Sequence, residues 1–339
     1  MRTDDFDYEL PDEAIAQAPI AVRDEARLLC VRDLTDHRVR DLPELVDPAD
    51  VVVVNKTRVR AARLRATRST GGSVEILLLG MLADGTWDAL VRPARRLSGG
   101  EQLSVSPVLA AQLLHDPQAG RVRIHLEHTG LDSVEEEIER RGEIPLPPYI
   151  HGCLRDPERY QTIFADRIGS AAAPTAGLHF TPDLLSRLAL RGVGLGQVDL
   201  EVGLDTFRPI TAELITDHRI HTERCSLDEH TAQLINDRRA RGGQVVAVGT
   251  TVARTLETFA LPDGTVEPGA RTTELYITPG YRFRTVDILM TNFHVPRSSL
   301  LVMVAAFAGD VWRAAYAVAL ERSYRFLSFG DAMLLERTE

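Results

Sequence analysis

The chain has 339 residues, 44% of them hydrophobic and 26% charged, a make-up that excludes disordered, fibrous and membrane-embedded classes. At roughly 100 to 200 residues per domain, the length fits two domains or one large domain carrying an insertion. The formal charge of −10 disfavours non-specific adhesion to nucleic acid, although a local basic patch on an acidic protein still binds phosphates.

The acidic start, MRTDDFD, lacks the basic and apolar regions of a secretory signal, so a cytoplasmic protein is expected. An apolar β-branched run ending at Asn55 predicts a strand buried on both faces, and hence a covered sheet. From Arg58 to about Val122 short alternating stretches punctuated by Gly-Gly and Asp-Gly turns predict a small all-β insertion. Ser133 with Glu136 forms a capping box, Gly142 supplies the stop, and the prolines of PLPPY at 145–149 mark a linker. Beyond it a helix is predicted from Thr181 to Arg191 and a strand from Gln197 to Leu204. Two strand-loop-helix units follow, one running from Val245 through Gly249-Thr250-Thr251, the other from Val286 through TNFH at 291–294 to a helix near Ser298. Repetition of this unit favours an α/β sheet with ligands beyond the carboxyl ends of its strands. The longest apolar run, Leu300 to Ala308, is far short of the ~20 residues that span a bilayer. Cys30, Cys153 and Cys225 form no C-x-x-C pair, which speaks against disulfides and thiolate zinc.

Chemistry concentrates in a few loops. GSAAAPTAGLHF at 169–180 packs small residues around a proline and lets backbone approach a ligand closely; a tight structural connection has the same look. Thr250 and Thr251 at a helix start offer N–H groups and hydroxyls to a carboxylate, phosphate or ribose, and serve equally as plain N-terminal capping. TNFHVPR at 291–297 places an amide, an imidazole and a guanidinium just after a buried strand. Asp199, Glu201 and Asp205 share one face of their strand, suited either to a cationic ligand or to solvent. His218, His221 and Glu223 lack the spacing of a metal site, so no metal is expected. GVGLG at 192–196 follows a helix and precedes a strand, the reverse of a dinucleotide fingerprint. The basic stretch 56–68, with Arg92, Arg95 and Arg96, makes either a phosphate track or a solvated face.

Taken in order, DFDYELP at 5–11, RLL at 27–29, Asn55 with TRV at 57–59 and ARL at 62–64, GEIPLPPYI at 142–150, RYQT at 159–162, AAPTAGLHF at 172–180, AVGTT at 247–251, TNFH at 291–294, YRF at 324–326 and GDAM at 330–333 make the chain resemble the S-adenosylmethionine:tRNA ribosyltransferase-isomerases from end to end. The resemblance implies a discontinuous, sandwich-like α/β catalytic domain from 1–60 and 150–339. It also implies a small β-barrel domain with a linker helix inserted at 61–149. The activity it implies moves the ribosyl group of S-adenosylmethionine, with rearrangement, onto the 7-aminomethyl-7-deazaguanine wobble base of tRNA, giving epoxyqueuosine, adenine and methionine.

That chemistry needs a base for the hydrogens next to the sulfonium and an acid for the departing adenine. His179 and His294 are expected in these roles, with Glu223 or His221 keeping the attacking amine neutral. Substrate contacts are expected from Thr175, Ala176, Gly177, Phe180, Glu201, Thr250, Thr251, Asn292 and Arg297, and tRNA contacts from Arg58, Arg60, Arg63, Arg95 and Arg96. No cofactor beyond S-adenosylmethionine, no membrane and a monomer are expected. The chain departs from the family pattern at Lys56, Glu201 and Asp205, which change the charge of substrate-facing segments. A paralogue using a small deazapurine or amine, and a silent tRNA-binding homologue, therefore stand as alternatives.

Overall fold

The computed structural model describes residues 1–152, 154–203, 209–220 and 222–338. They group into two compact units, one of Met1–Arg58, Pro147–Ile168 and Ala173–Glu339, the other of Val59–Leu146 with Gly169–Ala172.

The larger unit is built on one nine-stranded sheet. Four neighbouring strands, Gly194–Leu200, Val51–Asn55, Val245–Val248 and Ile288–Asn292, run parallel. Ala332–Glu336, antiparallel to the last of them, leads to Arg27–Cys30 and Thr35–Arg38; Glu223–Leu227 and Gly269–Thr273 extend the opposite side. Val51 to Val54 are completely buried because helices lie on both faces. On one face Val52, Val54, Val246, Val248 and Met290 pack against Leu184 and Leu188 of helix Pro182–Leu190. On the other lie helices Glu229–Ala240, Thr250–Phe259 and Ser299–Ala308. Each fully buried valine contributes roughly 1.5–3 kcal/mol, so this sheet is the anchor of the unit.

The helix starts follow local side-chain chemistry. Thr181, Asp228 and Ser298 each accept a hydrogen bond from a first-turn N–H, 2.7–3.2 Å away. The glycines at 192–196 serve packing: a Cβ on Gly196 would lie 2.8 Å from the Thr231 methyl of the helix above it. The strand expected over 197–204 instead spans Gly194–Leu200. It stops there because Asn55 takes the place of a strand partner. Asn55 Oδ1 accepts from Leu200 N (3.2 Å), and its Nδ2 donates to the Leu200 carbonyl (3.1 Å).

The smaller unit contains a closed six-stranded antiparallel barrel, in the order Arg121–His128, Trp87–Arg92, Ser73–Met81, Arg63–Arg68, Gln102–Ser104 and Leu109–Leu113. Alternate residues point inwards, among them Leu64, Val74, Ile76, Trp87, Val91, Leu109 and Ile124, and Ile138 of helix Val134–Arg141 joins the same core. Ser133 and Glu136 cap that helix reciprocally, as the sequence predicts.

Candidate functional site

Three of the four parallel strands deliver their carboxyl ends to one cleft of about 550 Å³, counting the space open to solvent. Val202 follows the first of these strands, Gly249 to Thr251 the third, and Thr291 to Val295 the fourth. Ala173 to Ala176 close one wall, and Tyr149, Leu327 and Ser328 another, with Tyr149 Oη and Ser328 Oγ 2.7 Å apart. Gly249 adopts φ +95°, a turn that releases the N–H groups at the start of helix Thr250–Phe259.

Asn292 organises the floor. Its Oδ1 accepts from the Thr175 hydroxyl at 2.8 Å, while its Nδ2 donates to the Asp331 carbonyl (3.2 Å) and faces His179 Nε2 (3.3 Å). Thr175 and Asn292 line the cleft, but His179 lies behind Asn292, in a separate small cavity with Arg23 and Arg159. Burial lowers the His179 pKa to about 4, a backbone hydrogen bond with Arg23 opposing in part. The ring is therefore neutral near pH 7 and stands against the Asn292 amide.

His294 does line the cleft. Its Nε2 lies 3.0 Å from Thr291 Oγ1, its backbone N–H donates to Tyr316 Oη at 2.9 Å, and its carbonyl accepts from Tyr8 Oη. Desolvation lowers its pKa to about 3, which keeps a lone pair available at neutral pH. Its Nδ1 has no partner among the described residues.

A second cleft, about 910 Å³ including its mouth, holds Glu223 beside Arg254. Glu223 Oε1 accepts from Gly203 N at 2.9 Å, and Oε2 receives Arg254 Nη1. Each side chain is buried, so the pair is held by mutual neutralisation and neither charge can be removed cheaply.

Other expected contacts fall elsewhere. Glu201 lines a different cleft with Asp199, Arg167 and Arg224, because alternation along its segment turns it away from Val202. Phe180 is buried in the sheet core against Phe164, and Gly177 packs on Thr162. Arg297, at φ +54°, pairs with Asp4 and Asp7 rather than facing the cleft. His221 and Asp205 lie outside the described residues. Lys56 sits 3.8 Å from Asp228, which offsets its charge. Arg58, Arg60 and Arg63 are matched by Glu158, Glu135 and Glu75, whereas Arg95 and Arg96 are exposed and form no ion pair among the described residues. Asn55, Asp331, Tyr149, Ser328 and Arg254 were not singled out as site residues by sequence reasoning. Asn55, Tyr149 and Asp331 fall within the segments that carry the family resemblance, and Arg254 left a signal of its own, a guanidinium among the apolar positions of a helix that follows a buried strand.

A covered, partly parallel sheet with a largely apolar cleft carrying a few polar groups at its strand ends, in a chain that also carries a closed barrel, defines an α/β protein of the ligand-binding type with an inserted β unit. The model of the family described as queuosine biosynthesis protein matches residues 3–335, and the chain belongs to that family. A Symbiobacterium thermophilum protein named S-adenosylmethionine:tRNA ribosyltransferase-isomerase is 50% identical, over 99% of this chain and 100% of that one. The Moorella thermoacetica protein of the same name is 48% identical over the same shares. The crystal structure of an S-adenosylmethionine tRNA ribosyltransferase from Thermotoga maritima is similar at a TM-score of 0.54 and 36% identity, covering 97% of this chain and 99% of that one.

Proposed function

We propose that the chain is an S-adenosylmethionine:tRNA ribosyltransferase-isomerase that transfers and rearranges the donor's ribosyl group onto the 7-aminomethyl-7-deazaguanine wobble base. The observation that carries this reading is the meeting of Thr175, Thr250, Thr251, Asn292 and His294 in one cleft at the strand ends, in a chain whose relatives bear that name. The neutral donor-side chemistry fits. The threonine hydroxyls and the N–H groups of the helix start suit ribose and adenine, and among the described residues no fixed positive charge lines this cleft to repel a sulfonium.

His294 is the acid–base residue of this reading. With Nε2–H donated to Thr291, the Nδ1 lone pair takes a hydrogen from the carbon beside the sulfur, and the resulting imidazolium can return a proton to the departing adenine. His179 acts through Asn292, whose amide it orients. Arg95 and Arg96 meet the tRNA backbone. The enzyme works in the cytoplasm as a monomer, with no cofactor besides the donor. Incubation with S-adenosylmethionine and tRNA carrying the precursor base should release adenine and add the ribosyl mass to the anticodon. Adenine release with a small amine and no tRNA affinity, or tRNA binding without adenine release, would replace this reading.

A further inference from the structure

The second cleft contains two polar atoms without a hydrogen-bond partner among the described residues. Arg254 is 4% exposed, and its Nε and Nη1 are committed to the Leu275 carbonyl and Glu223. Its Nη2 is buried without a hydrogen-bond partner among the described residues, and so is Tyr276 Oη. Both residues line the same cleft. Orphaned buried donors cost stability, so two of them beside one space point to an acceptor that arrives with a ligand.

The position of the cleft narrows the choice. Leu300 lines both cavities, and the walls continue residue by residue, Val202 in the first and Gly203 in the second. The two clefts therefore adjoin, with Arg254 and Tyr276 lining the second. Glu223 beside them adds a negative group, so the cleft offers both donors and an acceptor carboxylate.

We infer that the Glu223–Arg254–Tyr276 cleft is the subsite for the α-amino-acid end of the sulfonium donor. The donor carboxylate accepts from Arg254 Nη2 and Tyr276 Oη, and its ammonium lies against Glu223. The inference rests on the donor proposed above. It makes Tyr276 and Arg254 specificity residues for a zwitterionic tail, and it couples departure of the amino acid to a site separate from the one that holds the nucleoside.

The test is calorimetric titration of the wild type, Tyr276→Phe and Arg254→Lys with S-adenosylmethionine and with its decarboxylated analogue, which keeps the amine. The wild type should prefer the intact donor by roughly tenfold or more, the worth of a hydrogen bond to a charged group. Tyr276→Phe should erase most of that preference by weakening the intact donor alone. Its melting temperature should not fall, because the lost hydroxyl has no hydrogen-bond partner among the described residues. Arg254→Lys keeps a charge for Glu223 and should act on the same donor. Equal wild-type affinity for the two donors, equal loss of both in Tyr276→Phe, or a loss confined to tRNA binding would overturn the inference while leaving the transferase reading standing. Failure of the wild type to bind either donor would instead overturn that reading, and this subsite with it.

Discussion

Two buried neutral histidines make the protein's stability depend on pH in a defined direction. His179 and His294 have folded pKa values lowered from 6.5 to about 4 and about 3. The unfolded chain therefore binds protons that the folded chain refuses, and the contribution present above pH 6.5 is lost as the pH falls towards the folded values. At pH 5 the loss is about 2 kcal/mol per histidine, since about one and a half pKa units separate pH 5 from the unfolded value and each is worth 1.36 kcal/mol. Asp199 and Asp331, whose carboxyls burial pushes up, act in the opposite sense, so the wild-type curve alone would blur the effect. Urea unfolding of the wild type, His179→Gln and His294→Gln between pH 7.5 and 5 removes that background. Glutamine retains a polar partner for Asn292 or Thr291 and cannot titrate. The advantage of the wild type over each variant should shrink by about 2 kcal/mol across this range. A difference that stays level to within about 0.5 kcal/mol would show that these rings are not held neutral by burial, and would undo the charge assignment on which the roles of both residues depend.

Asn55→Ala should destabilise the larger unit by about 1–3 kcal/mol, read by denaturant midpoint, because the Leu200 N–H and C=O lose their buried partner. Asn292→Ala strands the Thr175 hydroxyl, His179 and the Asp331 carbonyl together; adenine release should fall by at least roughly tenfold, with a melting temperature lower than the wild type's. Gly249→Ala meets a left-handed φ of +95°, so about 1–2 kcal/mol of stability and donor affinity should be lost together in melts with and without S-adenosylmethionine. Replacing Arg95 and Arg96 by Glu should weaken tRNA binding and flatten its salt dependence by one to two counterions, roughly, while donor binding measured by calorimetry stays unchanged.

Local signals in the chain were enough to place most elements. The valine run before Asn55 reads as a doubly covered strand because only such a strand has no polar face. Thr181, Ser133 and Ser298 announce their helices by the hydrogen bonds their side chains can make. The loops 173–176, 249–251 and 291–295 stand out because each follows or precedes a buried element and carries small or polar groups, and all three meet in one cleft. The family resemblance rested on the same segments, spread along the whole chain.

Direction in space was not written locally. Alternation along 198–202 separates two faces, yet which face meets a cleft depends on the neighbouring strands, and Glu201 turned out to look the other way from Val202. His179 and His294 are equal as residues; the order of the sheet puts one behind Asn292 and the other on the cleft wall. Glu223 and Arg254, 31 positions apart, become a buried pair only when helix Thr250–Phe259 packs over the sheet. The sequence alone determined secondary structure, its caps and the family, since these follow from near neighbours and from motif order. Which side chains face one another, and so which imidazole lines the cleft at the strand ends, was decided by long-range strand pairing, because the positions of partners distant in the chain are fixed only once the core has closed.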